Sequence, residues 1–398
     1  MGVPNRFVEW RKQENVRPLV LPNKEKFYLD LQNIEYSFSG RMDEVSINTF
    51  IMEAAQLLVN AMELFEMGYF DCAYYALRTA VDVSTTMVFL VDMPEAEQNK
   101  WVDKWKNTED FPMQHQMVKS LFQSGYVLSD MKNNMSESFD DAKELSQRLN
   151  KYVHKQGFQH FYVSRNHCIN QNKSQENFIN NFEFYLKKCI GVVAVMRLAA
   201  DPFPVLLMDN EILYRCFESI TEPYSQDFVD EYIGVETIEK YKKTNIYQGT
   251  YEAFINNEKK NQATFDVAHH QYINTLEMSD ILEQLHLLTV HDAISVMIVK
   301  GCDKVVKVYA IGGFYSYFTE RHTSRKAQSW NSSDFNSFQH SEAKYNQEYG
   351  EAYISVFFFK DDAFFAEHNE PLTDEDIESI LHEIKEYEDL FPKMFPAI

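Results

Sequence analysis

From Ser46 onward apolar residues recur at spacings of three and four, through Ala54, Leu57, Leu58, Ala61 and Leu64, and the pattern pauses at Gly68. That spacing predicts a long helix, and a second follows from about Asp71 to Leu90. Its small or apolar residues Ala73, Ala76, Leu77, Ala80 and Val81 suit close packing against the first. Shorter helices, interrupted around Pro112, are expected over 96–135, an amphipathic helix over Asp140–Lys155, and another over Asn177–Ala199. Past Pro202-Phe203-Pro204 the pattern stays helical from Glu211 to about Thr289, with a Tyr- and Asn-rich stretch between Tyr241 and Asn261 that reads as loop.

The period then changes. Ala293–Val299 and Val305–Ile311 read as strands joined by a turn at Gly301-Cys302-Asp303-Lys304, and Ala352–Phe359 reads as a third strand. The polar stretch Arg321–Glu348 reads as a long loop, and Thr373 is expected to cap a final helix with Asp376 at its third position. Near the start, Tyr28-Leu29-Asp30-Leu31 hints at strand alternation. The expected class is α+β. Four segments are expected: an irregular 1–45, a helical domain over 46–205, a helical connecting region over 206–290 and a small α+β domain over 291–398.

Composition narrows the function. A formal net charge of -22 repels nucleic acid at long range, so general coating of a polyanion is excluded, though a focused site is not. Five cysteines without a C-x-x-C pair argue against a disulfide framework or a structural zinc site and favour a reducing cytoplasm. The most apolar run, Ile190–Met208, is broken by Arg197, Asp201, Pro202 and Pro204, so no membrane span and no membrane partner is expected. Glycine-rich nucleotide loops, the G-x-S-x-G elbow and H-E-x-x-H are absent from the sequence. Asp266, His269 and His270 offer ligand types at helical spacing, but nothing completes a set, so neither a metal nor a cofactor is expected.

One window departs from the acidic background. Between Leu145 and Gln175 there is no aspartate or glutamate, where 60 acids in 398 residues would place roughly four or five. It holds Arg148, Lys151, Lys155, Arg165 and Lys173 with His154, His160 and His167 and several aromatics, a mixture suited to a polyanion that carries bases. At about 100° per residue, Ala142, Leu145, Leu149, Tyr152 and Val153 form one apolar face. Glu144, Arg148, Lys151, His154 and Lys155 then share an opposite arc of about 120°. Imidazole moves protons near neutral pH and guanidinium holds phosphoryl oxygens in a fork, so RNA cleavage through its own 2′-hydroxyl needs nothing else. A smaller basic cluster, Arg321, His322, Arg325 and Lys326, lies in the polar loop. Arg78 and Asp82, four apart, are expected to pair inside the helical bundle.

Arg148-Leu149-Asn150-Lys151-Tyr152-Val153-His154 resembles the R-x4-6-H signature of the HEPN superfamily, and Gly-Tyr-Phe-Asp-Cys-Ala-Tyr-Tyr-Ala-Leu-Arg at 68–78 lies on the preceding hairpin. The resemblance covers residues 46–200. It implies a metal-independent endoribonuclease of toxin or antiviral-defence type, with RNA as substrate and a homodimer whose two motifs line one cleft. It also implies Arg148 as phosphate stabiliser, His154 as general base or acid, and Asn150 and Lys151 in support, under control by an antitoxin or defence-complex partner. Glu144, Lys155, His160 and Arg165 are the further residues expected to support the site or contact RNA. The alternative is an inactive HEPN-like binding or assembly module, or a sensor subunit of a defence complex.

Overall fold

A computed structural model describes residues 19–40, 45–93, 95–157, 160, 173–216, 220–327 and 330–394. Among these the class is α+β, mainly helical in the N-terminal part with a small mixed sheet in the C-terminal part. The chain divides into two compact units, one of residues 1–213 and 219–256, the other of 214–218 and 257–398.

Among its described residues the first unit has helices and no strand: α1 Lys24–Glu35, α2 Val45–Glu66, α3 Phe70–Val91, α4 Glu95–Lys106, α5 Gln114–Ser124, α6 Val127–Asn134, α7 Ser136–Val153, α8 Gln175–Ala200, α9 Val235–Tyr241 and α10 Asn245–Ile255 are its main ones. Helices α2 and α3 form the expected hairpin, turning at Gly68 with φ +80°, a left-handed conformation that glycine adopts without steric cost. Helix α8 lies against it, with Phe182 stacked on Phe65 at 4.1 Å. The end of α8 is tied down by a fully buried Arg197, which donates to Ser37 O at 2.6 and 2.9 Å and to Asp201. Tyr28–Leu31 belongs to a helix, not a strand, because Phe27, Leu31 and Ile34 at helical spacing are the residues buried in the core. Helix α10 likewise replaces the loop expected between Tyr241 and Asn261.

Residues 206–290 do not form one connecting region. Tyr224, Phe228, Tyr232, Tyr241 and Tyr247 are buried in the core of the first unit, while residues from 257 onward join the second.

The second unit contains α11 Gln262–His270, α12 Met278–Glu283, α13 Val290–Gly301, α14 Ser332–His340 and α15 Asp374–Met394. Its strands are β1 Tyr272–Ile273, β2 Val305–Ala310, β3 Tyr315–Thr319, β4 Gln347–Tyr349, β5 Ala352–Phe359 and β6 Asp362–His368, ordered β1-β3-β2-β6-β5-β4 with only the β1–β3 pair parallel among those described. Alternation sends Val308, Ala310, Phe357 and Phe359 into a core shared with α13 and α15. Tyr309, Ile354 and Val356 meet Phe335 and Phe338 of α14 on the other face.

Ala293–Val299 is therefore helical, not the first arm of a hairpin. All seven residues are buried, so the run carries no amphipathic period, and the helix opens on a capping box of Thr289 with Asp292. The polar stretch 321–348 also holds structure, since Asn331 caps α14 with Asp334 in the same reciprocal way and β4 follows. Thr373 and Asp376 cap α15 as expected.

Candidate functional site

Helix α7 carries the motif, and its burial follows its amphipathic pattern. Phe139, Leu145, Leu149 and Tyr152 are buried, Tyr152 lies flat on Tyr74 of α3 at 4.1 Å, and Asn181 of α8 donates to both phenols at 2.6 and 3.3 Å. Burial raises the Tyr74 phenol well above its ordinary value. This stack fixes the rotation of α7, so Glu144, Gln147, Arg148 and Lys151 face outward.

Those four residues, with His160 and Tyr185 of α8, line a groove of about 420 Å³. Within it Arg148 donates from Nε and Nη2 to one carboxylate oxygen of Glu144, at 3.1 and 2.6 Å. Burial, with the neighbouring Tyr152, pushes the Tyr185 phenol up to about 12, so Tyr185 is a hydrogen-bond donor throughout the physiological range. His160 is buried, edge-on to Tyr152, and its Nδ1 lies 2.8 Å from Gln156 O. A carbonyl only accepts, so Nδ1 carries the proton there, and in the neutral ring Nε2 keeps the lone pair.

The arc expected from helical geometry is cut short. Helix α7 ends at Val153, His154 stands at its C-cap with φ −92°, and Lys155 takes a left-handed φ of +54°. The reversal carries Lys155 away to Asp71, at 2.8 Å, and over the ring of Tyr75. It is thus a tie to α3 and does not line the groove. His154 is exposed; its backbone N–H closes the last turn onto Asn150 O at 2.8 Å, and its ring has no hydrogen-bond partner among the described residues and lies outside the groove lining. Asn150 points inward, accepting from Arg78 Nε at 2.9 Å, and Arg78 pairs with Asp82 as their spacing implied. Arg165 lies outside the described residues.

The structure thus brings Glu144, Arg148, Lys151 and His160 together and leaves Asn150, His154 and Lys155 out of that groove. Gln147 and Tyr185 are lining residues that sequence reasoning missed. Gln147, at about 260° on the wheel that puts Arg148 at zero, was within reach of it, whereas Tyr185 comes from another helix.

The weaker candidates resolve into local structure. His270 Nδ1 meets Asp266 at 2.7 Å, and burial beside Lys260 pushes His269 down to about 4, while its ring stacks on Phe265. Arg325 of the second basic cluster donates to the buried Glu367 at 2.7 and 2.8 Å. His382, Glu383 and Glu386 converge on the exposed side of α15, a grouping the sequence reading did not single out, and Lys300 reaches both carboxylates at 2.6 and 3.8 Å. No helix among the described residues is long and apolar enough to cross a membrane.

Comparison with family models, with curated proteins and with solved structures gave no match. What the fold and the groove define is a class: an α+β chain with a cationic, aromatic-backed groove on one helix of its helical unit.

Proposed function

We propose that the helical unit binds RNA along the Arg148 groove and cleaves it without a metal, in the manner of the HEPN ribonucleases that the R-x5-H motif resembles. The observation that carries this reading is the Arg148 fork. Glu144 meets the Nε–Nη2 edge through a single oxygen, and the rest of the guanidinium, with the Tyr185 hydroxyl beside it, faces the groove where a phosphate would be clamped. In the proposed reaction an imidazole takes the proton of the 2′-hydroxyl, the 2′-oxygen attacks the adjacent phosphorus, and the P–O5′ bond breaks with that proton passing from the imidazolium to the 5′-oxygen, giving a 2′,3′-cyclic phosphate. His154 is assigned the proton transfer because its ring is exposed and uncommitted, while His160 is held by Gln156 and serves as a wall of the groove. Lys151 adds a second cation beside Arg148. Pairing of two chains would bring both motifs to one cleft.

A second reading, an RNA-binding or assembly module without catalysis, is favoured by the absence of His154 from the groove that holds Arg148. Incubation of the purified chain with RNA in EDTA separates the two. Cleavage with cyclic-phosphate ends should fall by about 100-fold or more in both Arg148→Ala and His154→Ala. Binding retained without cleavage in the native chain would establish the module instead.

A further inference from the structure

On the other flank of α7, across the ridge formed by Gln147, lies a larger cleft of about 480 Å³ enclosed by α3, α5, α6, α7 and α8. Its volume falls in the range of small-molecule sites, about 300–1,000 Å³. Three kinds of surface meet there. The floor is apolar, made by Val81, Phe122, Leu128 and Met196. One end is polar: Gln114 donates to Ser146 at 3.4 Å, and both Gln114 and Asn150 accept from Arg78, so these amides are held in fixed orientation.

The rim carries Lys119, Lys132 and Lys143 against a single acid, Asp140. None of the three lysines forms an ion pair among the described residues, although many lysines of this acidic chain do, as at Lys24, Lys155, Lys240, Lys300 and Lys304. Lys132 lays its ammonium over the Phe122 ring at 4.2 Å, a cation–π contact that holds a positive charge against the apolar surface. In a protein of net charge -22, three unpaired cations around one apolar cleft are a local inversion of the surface.

We propose that this cleft is a binding site for a small amphipathic anion, an aromatic or aliphatic body bearing one carboxylate, sulfonate or phosphate. The body lies on the Val81–Met196 floor, the anionic group meets the lysines at the rim, and Gln114, Ser146 and Asn150 offer hydrogen bonds to a polar substituent. Because Asn150 is also an α7 residue, an occupant would press on the helix that carries Arg148 from its other side. The site does not depend on whether that groove cleaves RNA.

The test uses two fluorescent probes with the same body, 8-anilino-1-naphthalenesulfonate and the uncharged N-phenyl-1-naphthylamine, titrated into the full native chain. The expected result is saturable binding of one sulfonate per chain, at least about tenfold tighter than the neutral amine. In Lys119→Glu/Lys143→Glu, whose side chains are exposed, that preference should disappear. Ala142→Trp, placed to fill the cleft, should abolish binding of both probes while the far-UV circular dichroism stays native; if that variant unfolds, the lysine pair decides. Equal affinity for the two probes, an unchanged preference in the lysine variant, persistent binding in a folded Ala142→Trp, or no saturable binding at all would each overturn the proposal.

Discussion

Under the proposed function a phosphate would approach Arg148, whose side chain is close to half exposed at 47%, beside the like-charged carboxylate of Glu144. Exposed pairs of this kind are strongly screened by solvent, so Glu144→Gln should raise RNA affinity by at most about fivefold, read by filter binding at low salt. A fall in affinity would mean that Glu144 positions the fork more than it occupies it. Lys307 in β2 shows the opposite extreme. Only 7% accessible, it lies over the rings of Phe318 and Tyr309 at 3.9 and 4.4 Å. Burial, with Arg325 nearby and only partial compensation from Glu367, pushes its ammonium down to about 8. Between pH 8 and its ordinary 10.5 the unfolded chain therefore holds the proton that the folded chain has lost, and stability contributed at this residue rises with pH across that window. Urea denaturation at pH 7, 9 and 10.5 should show the native chain gaining at most about 3 kcal/mol relative to Lys307→Met, because the methionine has no proton to release. Parallel pH profiles for the two proteins would remove Lys307 from the account. Arg148 was singled out by its motif in the sequence, whereas the burial of Lys307 left no mark there. Lys307 sits in a run of valines, and two aromatic neighbours on β2 and β3 bury it.

Helix ends illustrate how far local signals reach. Thr289–Asp292, Asn331–Asp334 and Thr373–Asp376 are reciprocal caps within four residues, and α13, α14 and α15 begin where those residues stand. Helix α6 begins differently. Its first amides, with that of Tyr126, are met by Asp92 from the end of α3, which accepts from Tyr126, Val127 and Leu128 at 2.9, 2.8 and 2.7 Å. A cap more than thirty residues away in sequence leaves no local trace. Replacing it by alanine orphans those amides, and Asp92→Ala should cost about 2 kcal/mol in thermal or urea unfolding. A cost below about 0.5 kcal/mol would show that water takes over the carboxylate's part. The end of α7 follows the same logic in reverse. The wheel extended the helix through Lys155, but the ion pair with Asp71 and the left-handed turn at Lys155 and Gly157 stop it at Val153.

The first unit is built on one core and the second on clusters on both faces of its sheet, so each unit has a stability of its own to measure. Each unit has a glycine where a backbone from another element passes: a Cβ at Gly191 of α8 would sit 2.1 Å from Tyr232 O, and one at Gly301 of α13 would sit 2.6 Å from the Ile380 Cα of α15. Neither neighbour is a flexible side-chain tip, so Gly191→Ala and Gly301→Ala should each cost about 1–3 kcal/mol. In calorimetry each should lower one transition and leave the other within about 1 °C. A common shift of a single transition in both variants would show that the units unfold as one.

The sequence by itself determined the α+β class, the α2–α3 hairpin, the amphipathic face of α7, the local caps and the acid-poor window around Arg148, because each is a property of neighbouring residues or of a fixed period. Tertiary structure alone decided which face of the motif became a groove, since the Tyr74–Tyr152–Asn181 contacts set the rotation of α7 and a partner on α3 drew Lys155 aside. It also decided between helix and strand at Ala293–Val299, where every side chain is buried and no period survives, and it brought Tyr185 and His160 to Arg148. Such outcomes depend on contacts between residues far apart in the chain, and those are settled only when the whole core packs.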